Sequence, residues 1–295
     1  MRASRTSTFL FIRDAWRFYR KQPVLHAVLL WLWIVPVAIA NLVSAAISVP
    51  DVASQMALDS VLSVLLAVAL AWGTAAVLLV SRRMIQNKAG RARTSFSVVA
   101  QQSAPLVFPL LLTAILRFCF TVQRMLLFAL PAAVVLLLPG LCGDMLTDGA
   151  AHDPAAMMIT VLKHCPWLPL LLLLLVPAIV YQVRTAFFGV ALVAEGRMYR
   201  TGLRRSIEVT RGRFWGVVLR LAGLCVIVLL PPALLTWIIE EVATMLGPRV
   251  TGAAIVLGAV ISSFAGLLAL LSLVALYGSL RADRPERIVP HDADE

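Results

Sequence analysis

The run WLPLLLLLLVPAIVYQV, Trp167 to Val183, contains no charged residue and is almost uninterrupted leucine at its centre. A helix needs about 20 apolar residues to cross a bilayer, and several runs in this chain meet that length. A β-barrel would instead show segments of about ten residues with alternating polarity, and the runs here are continuous. Composition agrees: 61% of residues are hydrophobic, 14% are charged and the mean hydropathy is +0.91. Soluble domains average about 25% charged residues. The expected fold class is therefore all-α, a polytopic membrane helical bundle.

Six crossings account for the pattern, near residues 24–48, 60–80, within 105–141, 167–193, 214–239 and 253–277. They form one integral membrane domain over residues 1–280, followed by a short polar tail at 281–295. The stretch 105–141 holds 37 residues, roughly 55 Å as helix. That is too long for one crossing and short for two. Charge settles the parity. Residues 1–23, 82–93, 197–213 and 281–287 carry twenty of the 26 Lys and Arg residues. The alternate connections carry Asp51, Asp59, Asp144, Asp148, Asp153, Glu240 and Glu241 against only Lys163 and Arg249. Cytoplasmic loops collect Lys and Arg, so one crossing in 105–141 and cytoplasmic termini are expected, with the excess length interfacial or kinked at Pro131. Pro36, Pro177, Pro231 and Pro232 also fall inside spans, as fixed kinks or as hinges. The basic amino terminus followed by an apolar run reads as a retained first span, because the run continues past any cleavage site. The net charge of +11 reflects this loop bias; no soluble domain is present to bind nucleic acid.

The stretch Glu195–Trp215, EGRMYRTGLRRSIEVTRGRFW, breaks the oily pattern. On a helical wheel Tyr199, Leu203, Ile207 and Thr210 share one face, and Arg200, Arg204, Glu208 and Arg211 share the other; Arg205 adds to the basic character. A basic amphipathic helix of this kind lies in the headgroup plane, with Phe214 and Trp215 anchoring the next span. The amino terminus repeats the design: Phe9, Ile12, Trp16 and Tyr19 against Arg13, Arg17 and Arg20. A weaker third case follows Arg91 and Arg93. Such helices either fix topology and connect spans, or recognise anionic lipid or an acidic partner. No particular protein partner is indicated.

These residues carry a resemblance. VYQVRTAFFGVALVAEGRMYRTGLRRSIEVTRGRFWGVV is similar to the hallmark of a broad bacterial six-span inner-membrane family that includes the membrane domain attached to some glycerophosphodiester phosphodiesterases. The matching positions are Arg184, Glu195-Gly196, Leu203-Arg204-Arg205-Ser206 and Gly212-Arg213-Phe214-Trp215, with Gly202 where Ala is frequent. The amino-terminal RDAWRFYRKQP resembles that family's start. The resemblance implies an inner-membrane location; with no phosphodiesterase domain attached, that activity is not implied.

The chemical inventory gives no catalytic, metal or cofactor motif. His26, His152, His164 and His291 lack metal spacing, and no glycine-rich phosphate loop occurs. Charges near or within the spans are all arginines: Arg117, Arg124, Arg184 and Arg220. Arg117 and Arg124 are seven apart and share a helix face. Each can snorkel to an interface, or together they can form an anionic lipid headgroup site, since Arg suits bidentate phosphate contact. The expected function is a non-enzymatic inner-membrane protein engaging anionic lipid, with a transport or envelope-associated role. A solute permease without side-chain proton coupling and a membrane-embedded enzyme are the alternatives. Cys142 and Cys165 flank the loop after the third span and are candidates for a disulfide on the oxidising side, or are two ordinary small residues at helix ends.

Overall fold

The computed structural model describes residues 8–47, 52–85, 94–137, 176–196 and 199–282. These are helical, with no strand among them. In chain order the helices are α1 (Thr8–Lys21), α2 (Val24–Ala46), α3 (Val52–Ile85), α4 (Phe96–Leu137), α5 (Val176–Arg184), α6 (Phe188–Glu195), α7 (Tyr199–Thr210), α8 (Phe214–Leu246) and α9 (Pro248–Ala282). Six stretches are long and apolar enough to cross a membrane: Val24–Ala46, Val52–Arg82, Phe96–Arg124, Val176–Glu195, Phe214–Leu246 and Val250–Ala282. The molecule is a multi-pass helical membrane protein. The described part of the 105–141 stretch, to Leu137, lies in the single 42-residue helix α4, about 63 Å long, which stays helical through Pro105, Pro109 and Pro131.

The chain divides into two compact units, Ala114–Thr185 and the remainder. In the larger unit α9 packs against α8, α1, α3, α2 and α7. Its core gathers Phe18 and Tyr19 of α1, Leu25, Val28 and Trp33 of α2, Val77 of α3 and Leu267 and Leu271 of α9. Small residues allow these helices to approach closely, as membrane packing requires when no hydrophobic drive separates helix from lipid. The Trp33 indole fills the space left by two glycines: a Cβ on Gly73 would overlap it, and one on Gly266 would come within 2.9 Å of Cζ3.

Two helices widen for one turn into π geometry, at Leu30–Ile34 and Cys225–Leu229. Both turns precede prolines. A helical proline clashes with the carbonyl four residues before it; for Pro36 that is Leu32, and for Pro231 and Pro232 it is Ile227 and Val228. All three carbonyls lie in the widened turns, which explains where these spans depart from regular helix. Gly247, at φ 98°, ends α8 and starts α9 in one residue, a conformation open to glycine and costly for others.

The amphipathic helices form as expected, with one shift. In α7 Leu203, Ser206, Val209 and Thr210 are buried, while Arg200, Arg204 and Arg211 are exposed. In α1 the buried stripe is Phe11, Ala15, Phe18 and Tyr19, and Phe9 and Trp16 face outward. The protein-facing stripe is thus rotated from the Phe9–Trp16 face drawn by the wheel. Trp16 still stacks on Tyr19, with ring centroids 5.7 Å apart.

Candidate functional site

In the Ala114–Thr185 unit, Arg117, Thr121 and Arg124 follow one another at i, i+4 and i+7 on α4, so they share a face. Opposite them α5 presents Tyr181, Gln182 and Thr185. Arg117 donates from Nε to Thr185 Oγ1 and from Nη2 to the Gln182 carbonyl, each at 3.0 Å. Gln182 Nε2 donates to Thr121 Oγ1 at 2.9 Å. The Arg124 guanidinium lies 4.1 Å from the centroid of the Tyr181 ring, a cation–π distance.

The local fold makes these acceptors. Helix stops after Arg184 and resumes at Phe188, so the Gln182 carbonyl is released from its regular place in the ladder and can take the Arg117 proton. Gln182 and Thr185 lie near the middle of the Val176–Glu195 span. Arg117, itself inside the apolar stretch Phe96–Arg124, is therefore held by side-chain and carbonyl oxygens of a neighbouring apolar stretch. A charge placed there costs about 2.5–3.5 kcal/mol on insertion scales and marks a functional position by default. The described segments of this unit, 114–137 and 176–185, contain Arg117, Arg124 and Arg184 and no Asp or Glu. Arg184 is exposed and stands about 100° around α5 from the Tyr181–Thr185 face. Arg220 belongs to the larger unit, where its guanidinium sits 5.6 Å from the Phe11 ring. Neither unit contains all four arginines.

Glu195 and Glu208, the acids nearest in sequence to Arg184 and Arg220, are engaged in the larger unit. The Glu195 side chain is only 7% exposed. It accepts from Tyr277 Oη at 2.5 Å and from Arg205 Nε at 3.0 Å, and Arg281 Nε lies 3.8 Å away. Arg205 therefore turns inward, unlike its exposed neighbour Arg204, which pairs with Glu208 at 3.4 Å. Burial works against the charge on Arg205, but the Glu195 carboxylate and the Tyr277 hydroxyl offset it and hold the Arg205 proton more firmly than usual. Ser206 Oγ accepts from the Phe187 backbone N–H at 3.1 Å, satisfying a donor released at the start of α6. This cluster fastens α6, α7 and α9 together. Its residues are those of the EGRMYRTGLRRS stretch, joined by the distant Tyr277 and Arg281.

The polar partners Thr121, Tyr181, Gln182 and Thr185 escaped the sequence reading. The available signal was spacing, Thr121 one turn after Arg117 and Thr185 one turn after Tyr181. Cys119 and Cys225 are exposed free thiols; Cys142 and Cys165 lie outside the described residues.

The fold and this arrangement define a polytopic helical membrane protein with intramembrane arginines. No protein-family model, curated protein or solved structure matches the chain.

Proposed function

We propose that the chain is a non-enzymatic, multi-pass protein of the bacterial inner membrane, with cytoplasmic termini, that binds the phosphate of an anionic lipid at Arg117 and Arg124. The observation that carries this reading is a unit whose described segments hold three arginines and no acidic residue, two of them presented on one face of α4. Arg117 is oriented by Thr185 and Gln182 and Arg124 by Tyr181. A fork of donors so oriented matches a phosphate geometrically. The alternating loop charges support the orientation, and the resemblance to the six-span family supports the location. The role is transport or envelope-associated.

The test is native mass spectrometry of the purified protein after exposure to phosphatidylglycerol, cardiolipin and phosphatidylcholine. The wild type should retain the anionic lipids selectively, and R117Q/R124Q should lose that selectivity. Equal retention by both proteins overturns the reading. The interrupted Val176–Glu195 span supports a second one, permeation of a small anion, because transporters place solute sites at broken helices. Phosphate flux into proteoliposomes that R117Q abolishes would favour it.

A further inference from the structure

At the end of the bundle where α2 and α8 finish and α3 and α9 begin, the larger unit encloses an open cavity of about 440 Å³. Its polar lining is Asn41 and Ser44 from α2, Thr236 and Glu240 from α8, and Ser262 from α9, with Gly258 on the floor. Thr236 and Glu240, like Gly258 and Ser262, are one helical turn apart, so each pair is presented together.

Among the lining groups the Glu240 carboxylate and the Ser44 and Ser262 hydroxyls face the cavity as acceptors, beside the Asn41 amide, which can donate or accept. Ser44 donates its proton to Asp59 Oδ1 at 3.2 Å, and Ser262 donates to the Gly258 and Ala259 carbonyls at 2.8 and 3.3 Å. Both hydroxyls have therefore spent their hydrogen on protein and turn lone pairs to the cavity. The Thr236 hydroxyl is buried without a hydrogen-bond partner. Glu240 adds an exposed carboxylate six residues before the end of α8, and among the described residues it makes no hydrogen bond or ion pair. Asp59, fixed by Gln55 Nε2 at 3.2 Å, adds a second carboxylate behind Ser44. The glycine makes the room: a Cβ on Gly258 would come 3.0 Å from Thr236 Cγ2 and 3.7 Å from Glu240 Oε1.

A lining of carboxylate, hydroxyl lone pairs and an amide selects a cation that donates hydrogen bonds. The volume lies in the range of small-molecule pockets, about 300–1,000 Å³, and is far larger than a bare ion requires. We propose that this cavity binds a protonated primary amine, with its ammonium at Glu240 and Thr236 and its carbon chain over Gly258 and Ala259. The amine is either a free solute or the ethanolamine headgroup of a phospholipid; the chemistry recognised is the same.

The test uses the full chain in detergent, titrated calorimetrically with ethanolamine, and with ethylene glycol and acetate as neutral and anionic probes of similar size. In parallel, native mass spectrometry scores retained phosphatidylethanolamine against phosphatidylcholine. Selective ethanolamine binding identifies a free amine, and selective retention of phosphatidylethanolamine identifies the headgroup. In either case E240Q should weaken binding on the order of tenfold, and G258V, which fills the floor, should abolish it. T236V, an isosteric change inside a helix, guards against misfolding and should weaken binding severalfold with the melting temperature unchanged. Neither ligand binding selectively, or E240Q binding as the wild type does, overturns the proposal. The arginines of α4 take no part, so R117Q/R124Q should leave amine binding intact.

Discussion

The hydroxyl of Tyr277, near the end of the last helix, donates a 2.5 Å hydrogen bond to Oε1 of Glu195, a residue 82 positions earlier in the chain. The same carboxylate receives Arg205 on its other oxygen at 3.0 Å. Removing one partner of a buried charge pair leaves the other uncompensated, at a cost of about 3–5 kcal/mol; a single hydrogen bond to a charged group contributes about 1.5–3 kcal/mol. Glu195→Gln should therefore destabilise the protein more than Tyr277→Phe. The double variant should fall short of the sum, because both changes act on one network. Thermal unfolding in detergent measures all three. The pair should also be insensitive to pH in the ordinary range. The Arg205 proton is held above its usual range. Its contribution is fully present below the unfolded pKa and is lost only as pH rises through the still higher folded one, far above the ordinary range. A gap between the wild-type and Glu195→Gln melting temperatures that narrows between neutral pH and about pH 9 would contradict this.

Trp33 gives the sharpest packing test. Glycine to alanine in a helix ordinarily gains up to about 1 kcal/mol in propensity. At Gly73 the added Cβ would overlap the indole, and overpacking costs about 1–3 kcal/mol. Gly73→Ala should thus lower the melting temperature, and combining it with Trp33→Phe should recover part of the loss. At Gly252, where a Cβ meets nothing within 4 Å, the same change should be neutral or stabilising.

Much of this architecture is legible in the sequence because a membrane span advertises itself by length and polarity. The six long apolar helices follow from the apolar runs, whereas the unbroken course of α4 through Pro131 to Leu137 does not, since an interfacial excess or a kink there is equally open on the sequence. Helix ends are less visible. Glu240 and Glu241 read as loop because they are charged, yet glutamate is a good helix former and α8 continues to Leu246. The shared face of Arg117 and Arg124 follows from their spacing. Their acceptors do not, because the break after Arg184 occurs in RTAFF, without a glycine or proline to announce it. The Tyr277–Glu195 contact depends on tertiary packing between distant segments. The shift in α1 has a different cause. An interfacial helix has two apolar surroundings, protein and lipid, and a wheel cannot say that Phe11 and Phe18 take the first while Phe9 and Trp16 face outward.

The cytoplasmic placement of both termini can be checked by thiol labelling. With all four native cysteines, Cys119, Cys142, Cys165 and Cys225, replaced by serine, single cysteines at positions 51 and 288 should be labelled from opposite sides of the membrane. Labelling of both from one side would end the orientation argued from loop charge.

Arg117 offers a test that separates structure from binding. Its Nε and Nη2 bridge Thr185 Oγ1 and the Gln182 carbonyl, each at 3.0 Å. Lysine keeps the charge but is a point donor without a planar fork, so Arg117→Lys should lose one of the two bonds. Interhelical hydrogen bonds in membranes average about 0.6 kcal/mol with a maximum near 1.7, and the Lys variant should be less stable by that order. Arg117→Met keeps the length and removes the charge. It forfeits both bonds but escapes the roughly 2.5–3.5 kcal/mol insertion cost of a cation within a span. The Met variant should therefore be as stable as the wild type or more so, the ordering expected of a residue kept for what it binds. Denaturant titration in mixed micelles gives the ranking. A Met variant destabilised by more than about 3.5 kcal/mol, beyond what two such hydrogen bonds at their maximum can account for, would make Arg117 a structural strut and remove the main support for an anion site on α4.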